Sequence, residues 1–485
     1  MLLKLYSFFI YFILQKQSKS VTLSYIIIYS GEIMKIVIAG CGKIGQTVIG
    51  RLVAEGHDVI AIDSDKDVLD ELTNIYDIMT ICGNCADSDV LDEVGIRETE
   101  LFIALTGSDE LNMLACFFAR RLGASNAIAR IRNPEYNDDS LVFLRKELDL
   151  SMSINPDMLT AAELFNILRV PSAVKIEHFS RRNFEMIEII VKSGSDLEGV
   201  RLADMKGRYG SKVLICAVAR GEDVYIPDGN FVLRDGDKIS VSADHSDMSK
   251  LLKALGIHKK KSKNVMILGG SKSAFYLAKM LINSGASVKI IEKDLNRCEE
   301  LCEKIPQAMV IHGNGVQQEL LLEEGLRSMD AFVALTGMDE ENILISIYAA
   351  ANCVPTVISK VNRSELATMG ARLGLDCIVS PKNITADIFV RYARALENSV
   401  GSNVETLYKI MDGKAEALEF RIQPDSSITE IQLKDLKIKK NILIAGIIRG
   451  KKIIIPGGDD VILGDDKVIV VSRDHKLNDI EDILG

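Results

Sequence analysis

The chain has 485 residues and a mass of 53.4 kDa, more than one ordinary domain of roughly 100–200 residues. Its hydrophobic fraction of 47% supplies sizeable cores, and a formal charge of −10 with a sequence pI near 5.4 argues against a nucleic-acid binder. The nine cysteines are an odd number scattered from Cys41 to Cys377, which reads as reduced intracellular thiols and not as a disulfide framework.

In chain order, residues 1–33 hold two apolar stretches, "LYSFFIYFIL" and "SYIIIY", divided by "QKQSKS". Neither reaches the roughly 20 apolar residues that span a bilayer, and the marks of a signal peptide are weak. Met34 stands directly before the first strand, so translation is expected to start there and residues 1–33 to be a non-native extension.

Next comes "KIVIAGCGKIGQ", Lys35 to Gln46, an apolar strand leading into G-x-G-x-x-G at Gly40, Gly42 and Gly45. The first glycine allows the tight turn, the second lets backbone approach a pyrophosphate, and the third permits close helix packing. Ile44, Val48 and Leu52 then keep i, i+4 spacing to the helix end at Gly56. That helix aims its N-terminal N–H groups at the loop. "DVIAID" ends on Asp63, 18 residues after Gly45 (63 − 45). A carboxylate there accepts both ribose hydroxyls and repels a 2′-phosphate, favouring NAD over NADP. "IMTICG", "LFIALTG", "AIARIR" and "SMSINP" complete six buried parallel strands with helices between them, the doubly wound α/β pattern.

A helical stretch, "DMLTAAELFNIL", leads to alternating residues such as "FEMIEIIV" and to turn signals at Pro227-Asp228-Gly229 and Arg234-Asp235-Gly236. This predicts a small β-rich α+β module of roughly 80 residues with a terminal helix. "HKKKSKN", His258 to Asn264, reads as a solvated linker.

The chain then repeats. "FIALTGSDELN" at Phe102 to Asn112 returns as "FVALTGMDEEN" at Phe332 to Asn342, a shift of 230 (332 − 102), and Pro227 of "VYIPDGNFVLRDGDKISV" returns as Pro456 of "IIIPGGDDVILGDDKVIV", a shift of 229 (456 − 227). So constant an offset means duplication. The expected domains are 34–175 and 264–403, doubly wound units with their crossover helices, each followed by a β-rich module at 176–258 and 404–485, with 259–263 joining the halves.

The second glycine loop is degenerate: "GGSKSA" keeps Gly269, puts Ser271 in place of the second glycine and Ala274 in place of the third. A Ser β-carbon should crowd a pyrophosphate. Glu292, 18 residues on (292 − 274), keeps the ribose acceptor. Lys43 recurs as Lys272 and Arg130 as Lys360, cations that suit a phosphate; a vestigial second site is the alternative. Cys82-Gly-Asn-Cys85 has no second ligand pair and becomes His312-Gly-Asn-Gly315 in copy two, so no metal site is assigned. What persists is the Gly-Asn turn, at Gly83-Asn84 and Gly313-Asn314, which can face an adenine. Asp109-Glu110 and Asp339-Glu340 follow Thr-Gly-x and are expected to cap helices, with cation binding at a subunit contact as the alternative.

Two tandem units with "ALTG-x-DE-x-N" after the fourth strand and a β-rich partner carrying Ile226-Pro227 or Ile455-Pro456 resemble RCK (KTN) domains. The tandem pair, from Met34 to Gly485, is similar to the regulatory subunit of bacterial Trk potassium-uptake systems. The resemblance implies NAD or NADH binding by Gly40, Cys41, Gly42, Lys43, Ile44, Gly45, Asp63, Asn84, Thr106, Gly107 and Arg130. In the second site it implies ATP, ADP or NAD at Gly269, Gly270, Ser271, Lys272, Ser273, Glu292, Asn314, Thr336, Gly337 and Lys360. It also implies no catalysis, a homotetrameric ring, and a peripheral place on the inner membrane face under a TrkH/TrkG-like potassium transporter subunit. Three rivals stand beside it. An NAD-dependent oxidoreductase would need a placed His, Lys or Tyr cluster that the β-rich modules do not offer. A structural ring would leave its clefts empty, and a regulator of another cation transporter would differ in its partner.

Overall fold

Continuous apolar runs can bury both faces of a strand, which is what a parallel sheet covered by helices requires. The computed structural model describes residues 33–133, 136, 138–169, 175–179, 184–205, 213–254, 262–375, 377–398, 404–450, 452–475, 477 and 479–485. The proposed extension up to residue 32 and the linker through residue 261 lie outside the described residues.

In the first half, β1 (Lys35–Ala39), β2 (Asp58–Asp63), β3 (Met79–Cys82), β4 (Leu101–Ala104), β5 (Ala127–Arg130) and β6 (Met152–Ile154) form one sheet in the order β3-β2-β1-β4-β5-β6. All its pairings are parallel, with Ala39 opposite Ile62 on one side and Ala104 on the other. The helices α1 (Lys43–Ala54), α2 (Lys66–Ile75), α3 (Ser88–Glu93), α4 (Asp109–Leu122) and α5 (Asp138–Glu147) connect the strands. The strand order reverses between β1 and β4, and that switch point opens a crevice beyond their carboxyl ends. All six strands expected from the sequence are present.

The crossover helix α6 (Pro156–Arg169) leaves this sheet for an antiparallel one, made of β7 (Lys175–Phe179), β8 (Phe184–Ile190), β9 (Val213–Arg220), β10 (Asp223–Tyr225) and β11 (Lys238–Asp244) in the order β10-β9-β11-β8-β7. Helix α7 (His245–Ala254) follows.

The second half repeats the plan. Strands β12 (Asn264–Leu268), β13 (Ser287–Glu292), β14 (Met309–His312), β15 (Ala331–Ala334), β16 (Thr356–Lys360) and β17 (Cys377–Val379) stand in the order β14-β13-β12-β15-β16-β17. Its helices are α8 (Lys272–Asn283), α9 (Leu295–Lys304), α10 (Gln318–Glu323), α11 (Asp339–Ala351) and α12 (Ser364–Arg372), and its crossover helix is α13 (Pro381–Asn398). The second β module holds β18 (Val404–Ile410), β19 (Ala415–Arg421), β20 (Ile442–Arg449), β21 (Lys452–Ile454) and β22 (Lys467–Ser472). One expectation is corrected here. The second module does not end in an α-helix like α7 but in a single 3-10 turn, Ile480–Ile483, short enough to be held by one capping box at Asp479.

The halves are strapped together by exchange of their crossover helices. Ala161, Leu164 and Leu168 of α6 enter the core around Phe275 and Leu277 of α8, while Ala386, Phe389 and Ala393 of α13 enter the core around Val48, Ile49 and Leu52 of α1. Leu164, Leu168 and Phe389 each stabilise by about 1.5–3 kcal/mol on burial, so neither doubly wound unit has a complete core alone. Past the end of α1, Arg394 of α13 donates from Nε to Glu55 at 2.7 Å and from a terminal nitrogen to Glu416 of β19 at 3.0 Å, and Lys409 of β18 lies 3.2 Å from Glu55. Burial raises the Glu55 carboxyl, but Arg394 and Lys409 outweigh it and hold the group below its ordinary range. The two β modules also share a core, with Phe184, Met186 and Cys216 packed against Ile410, Met411 and Ala445. Ser242 donates to the Ala445 carbonyl at 3.1 Å across that junction.

Candidate functional site

The glycine loop leaves β1 at the switch point. Gly40 has φ +94°, and a β-carbon there would stand 2.6 Å from the Thr106 nitrogen, so both conformation and space demand glycine. A β-carbon at Gly42 would meet nothing within 4 Å. Protein packing therefore does not require the second glycine. Gly42 is the N-cap residue of α1, and no side chain caps the helix. Its first N–H groups point into the crevice without a side-chain acceptor.

Asp63 comes to the same place from β2. Its carboxylate accepts from the Cys41 N–H at 2.6 Å and from the Asp65 N–H at 3.0 Å, which fixes it beside the loop. Burial, with Asp63 adding to it, pushes Cys41 up to about 12, and burial pushes Cys85 up to about 11, so both thiols stay protonated and unreactive. Asn84 uses its carbonyl oxygen to accept from the Ala86 N–H at 3.0 Å, shaping the turn after β3, and Asn314 does the same with Val316 at 3.2 Å.

The "ALTG-x-DE-x-N" segment closes the crevice. Asn112 is fully buried; its oxygen accepts from the Thr106 N–H at 2.8 Å and hydroxyl at 2.7 Å, and its nitrogen donates to the Arg130 carbonyl at 2.9 Å. Asn342 does the same for Thr336 and Lys360, at 3.0, 2.8 and 2.9 Å. This amide clamp holds the ends of the fourth and fifth strands together, and sequence reasoning missed it, although the Asn stands in both copies of the motif. The expected capping role of the acids also needs correction. Ser108 caps α4 through the Leu111 N–H at 3.1 Å, while buried Asp109 accepts from the N–H groups of Arg132 and Asn133, each at 2.8 Å. Asp339 likewise takes Asn362 and Arg363 at 2.9 and 3.0 Å. Both are first-turn residues pointing back across the sheet to hold the loop after the fifth strand.

Arg130 is 9% exposed, and its guanidinium donates to the Thr106 carbonyl. Its Nε is buried without a hydrogen-bond partner. Burial, then repulsion from Arg132, lowers its pKa. This is a cation held in a crevice without a direct anionic partner, a costly arrangement unless an anion arrives. Lys360 repeats it with its Nζ 3.5 Å from the Leu335 carbonyl and its pKa lowered by burial.

The second loop keeps the backbone and changes the chemistry. Gly269 has φ +93°, and Glu292 accepts from the Gly270 N–H at 2.5 Å. Ser271, however, caps α8 by accepting from the Ala274 N–H at 3.3 Å. Ser273 donates to Asp157 of α6 at 2.9 Å, and the same Asp157 holds Arg132 at 2.7 Å. Arg297 donates to the Gly270 carbonyl at 2.5 Å and pairs with Glu300. A β-carbon at Gly270 would lie 2.8 Å from Leu301, 3.0 Å from Glu292 and 3.2 Å from Arg297, so the second loop has no room for a side chain where copy one carries Cys41. The structure brings Gly40, Asp63, Thr106 and Arg130 to the loop of the first copy, whereas Gly107 lines an opening shared with Lys272 of the second; in the second copy the loop's own polar groups are largely answered, Lys360 excepted.

Two openings lie where the copies meet. One, of about 340 Å³, joins Gly42, Lys43 and Arg130 of copy one to Asn362, Pro381 and Lys382 of copy two. The other, of about 400 Å³, joins Gly107, Asp109 and Arg132 to Lys272, Arg297 and Lys304. Among the described residues no group of three or more His, Cys, Asp or Glu is placed to hold a metal, and no helix is long and apolar enough to cross a membrane.

Comparison with known proteins agrees with this duplication. The TrkA-N domain family matches residues 36–149 and 265–381, and the TrkA-C domain family matches 186–256 and 417–485. A protein of Archaeoglobus fulgidus named Trk system potassium uptake protein TrkA homolog is 31% identical over 93% of this chain and all of its own length. The Haemophilus influenzae Trk system potassium uptake protein TrkA is 29% identical over 91% of this chain and 96% of its own. Among solved structures, the GsuK RCK domain aligns with TM-score 0.61 at 16% identity, over 96% of this chain and 97% of that one. The NAD-bound GsuK channel aligns with TM-score 0.59 at 16% identity, over 91% of this chain and 77% of that one. With both domain types matched twice and relatives aligned nearly end to end, the chain belongs to the TrkA family.

Proposed function

We propose that this chain is a nucleotide-sensing regulatory subunit of a potassium-uptake system, binding NAD or NADH in its first cleft and transmitting the binding to a membrane subunit. The observation that carries the reading is the first cleft itself, where an uncapped helix N-terminus, an unobstructed Gly42 and a buried Arg130 with an unpartnered Nε converge beside Asp63. The loop N–H groups and Arg130 would hold the pyrophosphate, and Asp63 would release the Cys41 N–H to accept the ribose hydroxyls. The nicotinamide supplies no chemistry in this role; the ligand acts by binding, and the chain is not an enzyme. The potassium-uptake names of the relatives and the NAD in the GsuK channel support the same reading. The second cleft, at Gly269 to Ser273, Glu292, Asn314, Thr336, Gly337 and Lys360, takes ATP, ADP or NAD more weakly, since Ser271 and Arg297 already occupy part of its loop.

Assembly follows from apolar side chains left outside in both copies. Leu114 of α4 and Leu344 of α11 sit at matching positions, 47% and 65% exposed, and Phe143 of α5 and Met369 of α12 are 63% and 56% exposed. Repeated apolar patches on corresponding helices fit a homotetrameric ring whose contacts are made twice per chain. The ring docks on the inner membrane face against a TrkH/TrkG-like subunit, and a ligand that prefers one ring shape shifts the transporter by that preference. The test is potassium flux in vesicles holding the co-purified membrane subunit. NADH should change flux with the native chain and not with Asp63→Arg; an equal response from both would overturn the reading.

A further inference from the structure

The crossover helices begin alike and differ in one charge. Thr160 donates to the Pro156 carbonyl at 2.7 Å, and Thr385 donates to the Pro381 carbonyl at 2.8 Å, which sets Pro156 against Pro381 and Asp157 against Lys382. Asp157 stands well there, since an acid in a first helical turn complements the dipole, and it is satisfied by Arg132 and Ser273. Lys382 stands badly. It is a cation in the first turn of an 18-residue helix with no acid in that turn, and it makes no ion pair among the described residues. It also lines the first cleft together with Lys43 and Arg130, an opening to which no Asp or Glu contributes. Three cations and two helix N-termini therefore converge on one space, with the Arg130 Nε buried and unpartnered beside them and the acids that act on Arg130, Asp109 and Asp157, already engaged by Arg132. An arrangement so one-sided is stabilised by an anion of multiple charge.

We infer that Lys382, delivered by the second copy, binds the phosphates of the nucleotide in the first cleft; Asp157, at the matching place, is already paired with Arg132. This rests on the nucleotide reading above and deepens it. The cleft is built by both halves, so an occupant holds α13 onto α1 and favours the closed strap. The two clefts, alike in backbone, then differ in the phosphate contacts they offer.

The experiment is calorimetry on the full chain carrying Glu292→Arg, which silences the second cleft, titrated with adenosine, AMP and ADP. Lys382→Gln should weaken ADP about tenfold, the effect of losing one charge-assisted hydrogen bond of roughly 1.4 kcal/mol. AMP should weaken less, adenosine should not change, and Lys382→Arg should restore most of the ADP affinity. Equal losses for all three ligands would make Lys382 a merely structural residue and overturn the inference, as would unchanged ADP binding. If the Glu292→Arg parent binds none of the three and no NADH while the chain remains folded by circular dichroism, the nucleotide reading fails and the inference falls with it.

Discussion

The two clefts share a backbone and differ in what their polar groups already touch. In the first, the helix N-terminus is bare and Arg130 has an unpartnered nitrogen; in the second, Ser271 caps the helix, Asp157 takes Ser273, and Arg297 lies on the loop. A duplicated fold can therefore keep its architecture in both copies while only one remains poised for a ligand. The architecture rests on Gly40 and Gly269, on the Asn112 and Asn342 clamps, and on Asp109 and Asp339, all conformational or buried roles that both copies retain. The proposed ligand contacts include Gly42 and Arg130, which become Ser271 and Lys360 in the second copy, positions where the fold allows divergence.

The largest expected effect breaks the comparison at the far end of α1. Arg394 joins Glu55 to Glu416, whereas α8 ends at Ser284, which carries no charge. Arg394→Ala should destabilise the chain by about 3 kcal/mol in denaturant unfolding, because it leaves buried Glu55 with Lys409 alone and takes the partner of half-buried Glu416. The carboxyl of Glu55 is held below its ordinary range in the fold. The stability it contributes is therefore complete above that range and lost as pH falls through the lowered value. The deficit of Arg394→Ala should shrink as pH drops below the ordinary 4.5; a deficit independent of pH would mean that packing, not charge, dominates.

Next in size, Asp63→Arg should weaken NADH at least about a hundredfold, since a ribose acceptor worth roughly 1.5–3 kcal/mol is replaced by a cation. Titration should show Glu292→Arg leaving that strong site intact. A smaller effect sharpens the contrast: Ser271→Gly should raise nucleotide affinity at the second cleft about threefold by freeing the helix N-terminus, at a cost of a few tenths of a kcal/mol in unfolding. The smallest is kinetic. At pH 8 an alkylating reagent should label exposed Cys82, Cys302 and Cys353 and spare Cys41 and Cys85, and NADH should slow labelling at Cys82 alone.

The strands, the duplication and the glycine loops were legible from the sequence pattern itself: continuous apolar runs, fixed glycine spacing and a constant offset. Charge placement across the copies was not. Lys382 and Asp157 reach their clefts only because α13 packs on α1 and α6 on α8, an exchange that no periodicity within one segment encodes. The acids of the repeated motif misled for a related reason. Asp109 and Asp339 look like caps in sequence, yet the groups they satisfy lie 23 or 24 residues on, beyond the next strand. The second module's missing helix is a third case, since a 3-10 turn and a short helix share the same apolar spacing.

The most direct test is the stoichiometry of NADH binding to the intact chain by calorimetry. One strong site per chain, lost in Asp63→Arg and kept in Glu292→Arg, is the predicted result. Two equal sites, or a strong site lost only in Glu292→Arg, would contradict the distinction between an open first cleft and a self-satisfied second one.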